Sequence, residues 1–89
     1  MICIDGLNDF GDALNRRLGR SSHLVSDLPG EAGTAELVAF ARGIGMRATW
    51  LQKAGTPHEH FDVFEGRYQR AVAAGARIVG SSIPAVATR

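Results

Sequence analysis

Short apolar clusters separated by glycine, proline and polar turns run along this 89-residue chain. Four of these clusters predict strands, because each is a brief apolar or β-branched run bounded by turn-forming residues. The four predicted strands cover residues 2–5, 23–26, 48–52 and 77–79. Between the second strand and the last, the apolar spacing changes twice to the period of an amphipathic helix.

The first helical stretch follows the turn signal at Pro29 and Gly30. Its apolar residues recur at intervals of three and four, which places them on one face of a helix. These residues are Leu37, Phe40, Ala41 and Ile44. Thr34 is a suitable N-cap and Gly45 a suitable C-cap, so we expect a helix between them.

The second helical stretch runs from about residue 64 to residue 74. Its apolar stripe consists of Phe64, Tyr68, Ala71 and Val72, and Gly75 is the natural C-cap. Asp62 and Glu65 have the spacing of a capping box, in which each residue helps to satisfy the free N–H groups at a helix start. This box is a structural explanation for Asp62 that competes with a role in a site.

The order of these elements predicts a small single-domain α/β fold, with a sheet of about four to five short strands and two main helices packed on it. At least one right-handed crossover is expected. Residues 8–20 are polar and rich in turns, with one or two helical turns at Ala13, Leu14 and Leu18. We expect the compact domain to cover residues 1–80 and residues 81–89 to form a C-terminal tail.

The composition narrows the functional classes. An apolar content of 45% with a net charge of +1 is typical of a globular protein and not of a disordered one. So small a net charge disfavours strong nonspecific nucleic-acid binding, although it does not exclude a local basic patch on the surface. No run approaches the roughly 18–20 apolar residues of a membrane span. With no signal sequence at its start and Cys3 as its single cysteine, the chain is expected to be cytoplasmic and to have no membrane partner.

Polar residues suited to chemistry lie at or beside the ends of the predicted strands, where α/β folds assemble binding sites. They form three short arrays: His23-x-x-x-Asp27, Trp50-x-Gln52 and His58-x-His60-x-Asp62. His60 and Asp62 are two residues apart, so in an extended segment both side chains point to the same side. Asp5, at the end of the first predicted strand, is placed to join them.

The same motifs give the chain a resemblance to a known family. They are Asp5 after an apolar strand, the segments 23–27, 36–45, 50–52 and 60–62, and the run from Arg70 to Ala76. In this order they resemble the small phage and bacterial proteins called domain of unknown function 4031, over most of residues 2–79. The chain departs from that pattern at the Pro/Gly-rich residues 28–33 and at residues 8–20, which lack the family's Trp and Pro residues. The resemblance implies a phage or bacterial context and a shared pocket, and it implies no established activity.

Each candidate residue also has a structural explanation. Asp27 fits the end of a strand and the following turn, His23 fits a partly buried core histidine, and Trp50 fits the core or the wall of a pocket. His58 lies in a polar loop, where exposure is more common than ligation. His60 is the strongest functional candidate, because it stands in the most distinctive motif.

The favoured function is a binding or interaction module. Its polar pocket would take a nucleotide-like or anionic ligand, or contact a host protein. A homodimer is also expected, as an aid to the stability of so small a domain. The predicted ligand-binding residues are His23, Asp27, Trp50, Gln52, His60, Asp62 and Arg70.

The alternative function is a small hydrolase-like enzyme. His23 and His60 would act with Asp5, Asp27 or Asp62, either as metal-free general acid and base or as ligands of a divalent metal ion. His60, His23 and Asp5 are both the catalytic candidates and the metal candidates. A metal cofactor is not favoured, because the sequence contains no recognised ligand spacing such as His-Glu-x-x-His.

Overall fold

The computed structural model of the protein describes residues 1–7, 11 and 13–79. Within these residues the chain forms four strands: β1 (Ile2–Ile4), β2 (Ser21–Ser26), β3 (Phe61–Phe64) and β4 (Arg77–Ile78). Three α-helices accompany them, α1 (Ala13–Leu18), α2 (Gly30–Gly43) and α3 (Glu65–Ala73), together with a 3-10 turn at Ala48–Trp50. The predicted tail at residues 81–89 lies outside the described residues.

The four strands form one mixed sheet in the order β3-β2-β1-β4. β2 is antiparallel to both of its neighbours, whereas β1 and β4 run parallel. This sheet and its helices confirm the predicted small α/β fold, and three of the four predicted strands are β1, β2 and β4. No helix in the described part of the chain is long and apolar enough to cross a membrane.

One face of the sheet carries the hydrophobic core. Alternate positions of β1 and β3 are buried, and their apolar side chains join those of β2, α2 and α3 in one cluster. Its fully buried members include Ile4, Leu24 and Phe61 from the sheet, Leu37 from α2 and Ala71 from α3. Because α2 and α3 cover this face, the opposite face is left for polar side chains near the middle of the sheet.

Helix α2 begins earlier than predicted. Its N-cap is Pro29, in an extended conformation with φ −78° and ψ 158°, and no side chain caps it. Gly30 follows with a φ of +64°, and an extended proline before such a glycine is typical of a type II turn, so the predicted Pro29-Gly30 turn leads directly into the helix. Thr34, the predicted N-cap, lies inside α2, and its hydroxyl donates to the Glu59 carboxylate at 2.7 Å.

The predicted strand at residues 48–52 is wrong. Ala48–Trp50 forms a 3-10 turn, and of these five residues only Gln52 pairs, through an isolated bridge with His60. Strand β3 takes the place beside β2, because Phe61 and Val63 become fully buried at alternate positions while Trp50 stays 43% exposed. Burial of those two side chains outweighs the strand propensity of the segment around Trp50.

The predicted capping box at the start of α3 does not form. Asp62 lies inside β3, and the N-cap of α3 is Phe64, without a side-chain hydrogen bond. The Glu65 carboxylate accepts the backbone N–H of Arg20 at 2.7 Å, and its contacts with that N–H and with the Arg20 guanidinium lower the pKa of Glu65. Asp62 therefore belongs to the polar face of the sheet.

Candidate functional site

A row of polar side chains crosses the sheet on the face opposite the core. His23 of β2 lies directly opposite Asp62 of β3 in the antiparallel register. Asp5 follows β1 and donates its backbone N–H to the His23 carbonyl oxygen at 3.2 Å, while its carboxylate accepts the His23 backbone N–H at 2.6 Å. Because His60 precedes Asp62 by two residues in extended chain, it shares that face. The sheet thus brings four predicted site residues together.

Asp5 holds the His23 ring. The imidazole Nδ1–H donates to Asp5 Oδ2 at 2.8 Å. This hydrogen bond raises the pKa of His23, although partial burial acts in the opposite direction. The Asp5 side chain is itself only 4% exposed. A buried carboxylate on one ring nitrogen fixes both the orientation and the tautomer of the imidazole.

His60 and Asp62 form a second pair. Nε2 of His60 lies 3.3 Å from Asp62 Oδ1, and Nδ1–H of His60 donates to the His58 carbonyl oxygen at 2.8 Å. The Gln52 side-chain amide donates to Oδ2 of Asp62 at 2.5 Å. Contact with Asp62 raises the pKa of His60, and contact with His60, together with the Gln52 hydrogen bond, lowers the pKa of Asp62. The pair is therefore an ion pair whenever His60 is protonated.

The two histidine rings are neighbours. Their centres are 5.3 Å apart and their planes meet at 73°. His23, His60 and Asp62 each place one atom of metal-ligand type within 4.8 Å of the other two. Two imidazoles and a carboxylate are the donor set of known zinc and non-haem iron sites. Among the described residues, this triplet is the candidate set of metal ligands, with Asp5 behind His23.

A groove of about 420 Å³ lies beside this cluster, and Gln52 and Asp62 form part of its wall. Trp50 is 43% exposed there, and the guanidinium carbon of Arg67 lies 5.4 Å from its ring centre. The buried Nε of Arg67 has no hydrogen-bond partner among the residues that the structure describes. The remaining walls are apolar and come from Leu14, Leu18, Met46 and Phe64.

Two predicted site residues lie elsewhere. Asp27 is four residues beyond His23 along extended chain, which is about 13 Å at the usual rise per residue. Its carboxylate accepts the amino group of Met1 at 2.6 Å. Arg70, in the last turn of α3, lies beside Gly45 and is not part of the groove wall. The residues that do come together are Asp5, His23, Gln52, His60 and Asp62, and Trp50 joins them through the groove.

Two residues that the structure places near these side chains were not predicted from the sequence. Arg67 faces the groove from α3, and no pattern in the sequence distinguishes it from the other arginines. Glu59 is 1% exposed and accepts hydrogen bonds from the Thr34 hydroxyl at 2.7 Å and from the Gly55 backbone N–H at 2.9 Å. The two-residue period of an extended chain could have identified Glu59, because a segment that turns Phe61 inward also turns Glu59 inward.

Comparison with known proteins identifies a family. The family model described as "Protein of unknown function (DUF4031)" matches residues 11–88, in agreement with the resemblance seen in the motifs. No curated protein and no solved structure matches the chain significantly.

Proposed function

We propose that this protein, which belongs to the DUF4031 family, is a small binding module that takes a planar, anion-bearing ligand of the nucleotide-like kind in the groove beside Asp62. The observation that supports it most is the position of the Arg67 guanidinium over the Trp50 ring at the groove wall. An exposed aromatic face beside a cation offers such a ligand a stacking surface and an anion contact.

The apolar part of the groove suits a flat ring. Leu14, Leu18 and Trp50 are 49%, 51% and 43% exposed, and three large apolar side chains around one depression are typical of an interaction site. Stacking of a base on Trp50 would contribute about 1–3 kcal/mol. Covering the leucines would add about 25 cal/mol for each Å² of apolar surface removed from water. These terms favour a ligand with a flat ring over a purely polar one.

The polar part of the groove suits an anion. The buried Nε–H of Arg67 has no partner within the described chain, and a buried donor without a partner costs about 1–3 kcal/mol. An oxyanion satisfies a guanidinium well, because it accepts from two N–H groups at once. The negative charge of Asp62 is offset by its contacts with His60 and Gln52. The groove would therefore offer an anion the guanidinium of Arg67, which lines it beside the apolar walls.

Isothermal titration calorimetry tests the proposal, with adenosine 5′-monophosphate (AMP) as the probe and adenosine and inorganic phosphate titrated separately. We expect AMP to bind more tightly than either fragment. Trp50→Ala should weaken binding of AMP and adenosine, whereas Arg67→Gln should weaken AMP and leave adenosine nearly unchanged. Arg42→Gln changes an exposed arginine in the last turn of α2. It is the matched control and should bind AMP like the wild type.

Two results would contradict the proposal. The first is equal binding of AMP by the wild type and by both groove variants. The second is a groove already covered in solution by another copy of the chain. Light scattering would then show a dimer that Leu18→Glu dissociates. That outcome would support the interaction class, in which the groove contacts a second copy or a host protein.

Hydrolysis is a second candidate function, favoured by the two His–Asp pairs. A histidine oriented by a carboxylate is a common general acid or base near neutral pH. Here two such histidines, His23 and His60, have ring centres 5.3 Å apart. A hydrolytic site should release phosphate from AMP, and His60→Gln should abolish that release while calorimetry still detects binding. AMP that binds and stays intact would leave the binding module as the function.

A further inference from the structure

We infer that His23, His60 and Asp62 bind one divalent first-row transition-metal ion of the zinc type, and that Asp5 orients His23 for this role. The inference does not depend on the proposed groove ligand, since different atoms carry it. His23 comes from β2, Asp62 from the facing position of β3, and His60 from the bridge that precedes β3. All three positions are therefore held by backbone hydrogen bonds of the sheet.

The spacing of the ligand atoms is close to that of a bound site. Two atoms bonded to one tetrahedral zinc ion lie about 3.3 Å apart, given bond lengths of about 2.0–2.1 Å. Nε2 of His60 and Oδ1 of Asp62 are already separated by 3.3 Å. One ring nitrogen of His23 lies within 4.8 Å of a ligand-type atom of each of these two residues. A movement of about 1.5 Å by one ring would complete the set.

Both histidines also carry the outer partner that is typical of metal ligands. A ligating imidazole almost always donates its second N–H to a carboxylate or to a backbone carbonyl. Nδ1–H of His23 donates to the buried Asp5 carboxylate, and Nδ1–H of His60 donates to the His58 carbonyl oxygen. In each ring, Nε2 is therefore the nitrogen through which the residue would bind a metal ion.

The donor set selects the class of ion. Two imidazole nitrogens and one carboxylate suit zinc and its first-row neighbours, whereas calcium and magnesium prefer oxygen ligands alone. Three protein ligands leave a coordination position for water or for another molecule. Because Asp62 also lines the groove, the ion and a groove ligand would be neighbours.

Calorimetric titration of chelator-treated protein with zinc, and with no organic ligand present, tests the inference. We expect one zinc ion per chain. His23→Gln and His60→Gln should each weaken zinc binding by about 100-fold or more, and Asp5→Asn, which changes an outer partner, by about 10–100-fold. His58→Gln is the matched control, because it removes the remaining histidine of the chain, whose side chain is exposed. It should bind zinc like the wild type.

A measurement on the wild-type protein keeps the test decisive if a variant fails to fold. In long-range ¹H–¹⁵N spectra, zinc should shift Nε2 of His23 and of His60 to the range of a metal-bound nitrogen, while Nδ1 of each ring keeps its proton. Trp50→Ala should bind zinc normally, which separates loss of the groove ligand from loss of the metal site.

Three results would overturn the inference. The first is zinc binding of wild-type strength in both H23Q and H60Q, and the second is an equal loss in H58Q. The third is a wild-type spectrum in which neither Nε2 responds to zinc. In that case Asp5 and Asp62 hold the two histidines as a structural hydrogen-bond network only.

Discussion

Replacing Gly33 by alanine is expected to destabilise the protein, although alanine is normally the better helix former. Gly33 lies inside α2 and is buried. A Cβ at this position would overlap the Leu28 carbonyl oxygen and lie 2.9 Å from the Leu28 carbonyl carbon. An ordinary contact needs at least 3.4 Å, and the obstacle is backbone, which cannot rotate away as a flexible side chain can. The chain before α2 must therefore shift.

The size of the effect follows from three terms. Overpacking of this kind costs about 1–3 kcal/mol. Displacement of Leu28 also strains the hydrogen bond from its backbone N–H to the Ser26 hydroxyl at 3.1 Å, which is worth about 1 kcal/mol. Higher helix propensity returns about 0.8–1.0 kcal/mol. We therefore expect Gly33→Ala to lower the free energy of unfolding by about 1–3 kcal/mol, or the Tm by roughly 4–24 °C for a domain of this size.

Urea unfolding followed by circular dichroism measures this change, and α2 offers a matched control. Gly43, the last residue of the same helix, is exposed and has no heavy atom within 4 Å of the position that a Cβ would take. Gly43→Ala should therefore leave the stability unchanged or raise it by up to about 1 kcal/mol. If Gly33→Ala proves as stable as Gly43→Ala, the close approach of Leu28 to α2 is refuted, and with it the start of the helix at Gly30.

Two further predictions concern the site. The folded pKa values of His23 and His60 lie above the unfolded value of 6.5, so protonation of these residues stabilises the metal-free fold fully at a pH below 6.5. This stabilisation is lost as the pH rises through the folded pKa values. The folded pKa of Asp62 lies below its unfolded value of 3.8, so the ionised carboxylate stabilises the fold fully at a pH above 3.8. This stabilisation is lost as the pH falls through the folded pKa. Urea unfolding across this range should show both declines, and an H23Q/H60Q double variant should lack the alkaline one. Thr34→Val removes the hydroxyl that donates to Glu59, so it should lower the free energy of unfolding by about 1.5–3 kcal/mol in the same assay. Thr34→Ser keeps a hydroxyl and should not lower it. Equal losses in the two variants would refute the hydrogen bond.

The fold could be predicted wherever a few consecutive residues decide the outcome. The apolar run at residues 2–4 and the stripe that includes Leu37 are patterns of this kind. Most of their residues become buried as expected, whereas Cys3 and Phe40 stay half-buried. The segments 48–52 and 61–64 compete for one place beside β2, and local propensity cannot decide between them. The decision depends on packing between segments that are distant in sequence, because Phe61 is fully buried in one cluster with Leu24 of β2 and Leu37 of α2.

The site could be predicted to the same extent. The two-residue period by itself places His60 and Asp62 on one side of an extended chain. Which strand lies opposite them is a question of register, and the observed register sets His23 against Asp62. The same register excludes Asp27, because a residue four positions further along a strand cannot reach the same pair. Motif spacing alone contains no information about strand pairing, so Asp27 was predicted as a ligand-binding residue together with His23.

The orientation of the His60 ring depends on a neighbour that carries no chemistry of its own. Glu59 points inward from the loop before β3, and the Thr34 hydroxyl and the Gly55 N–H hold its carboxylate there. Because side chains alternate along extended chain, an inward Glu59 obliges His60 to face the polar side of the sheet. A polar group so deeply buried is tolerated only when it is hydrogen-bonded, so the loop cannot easily turn over. The imidazole is therefore oriented before any ligand or metal ion arrives, and this preorganisation connects α2 to the candidate site.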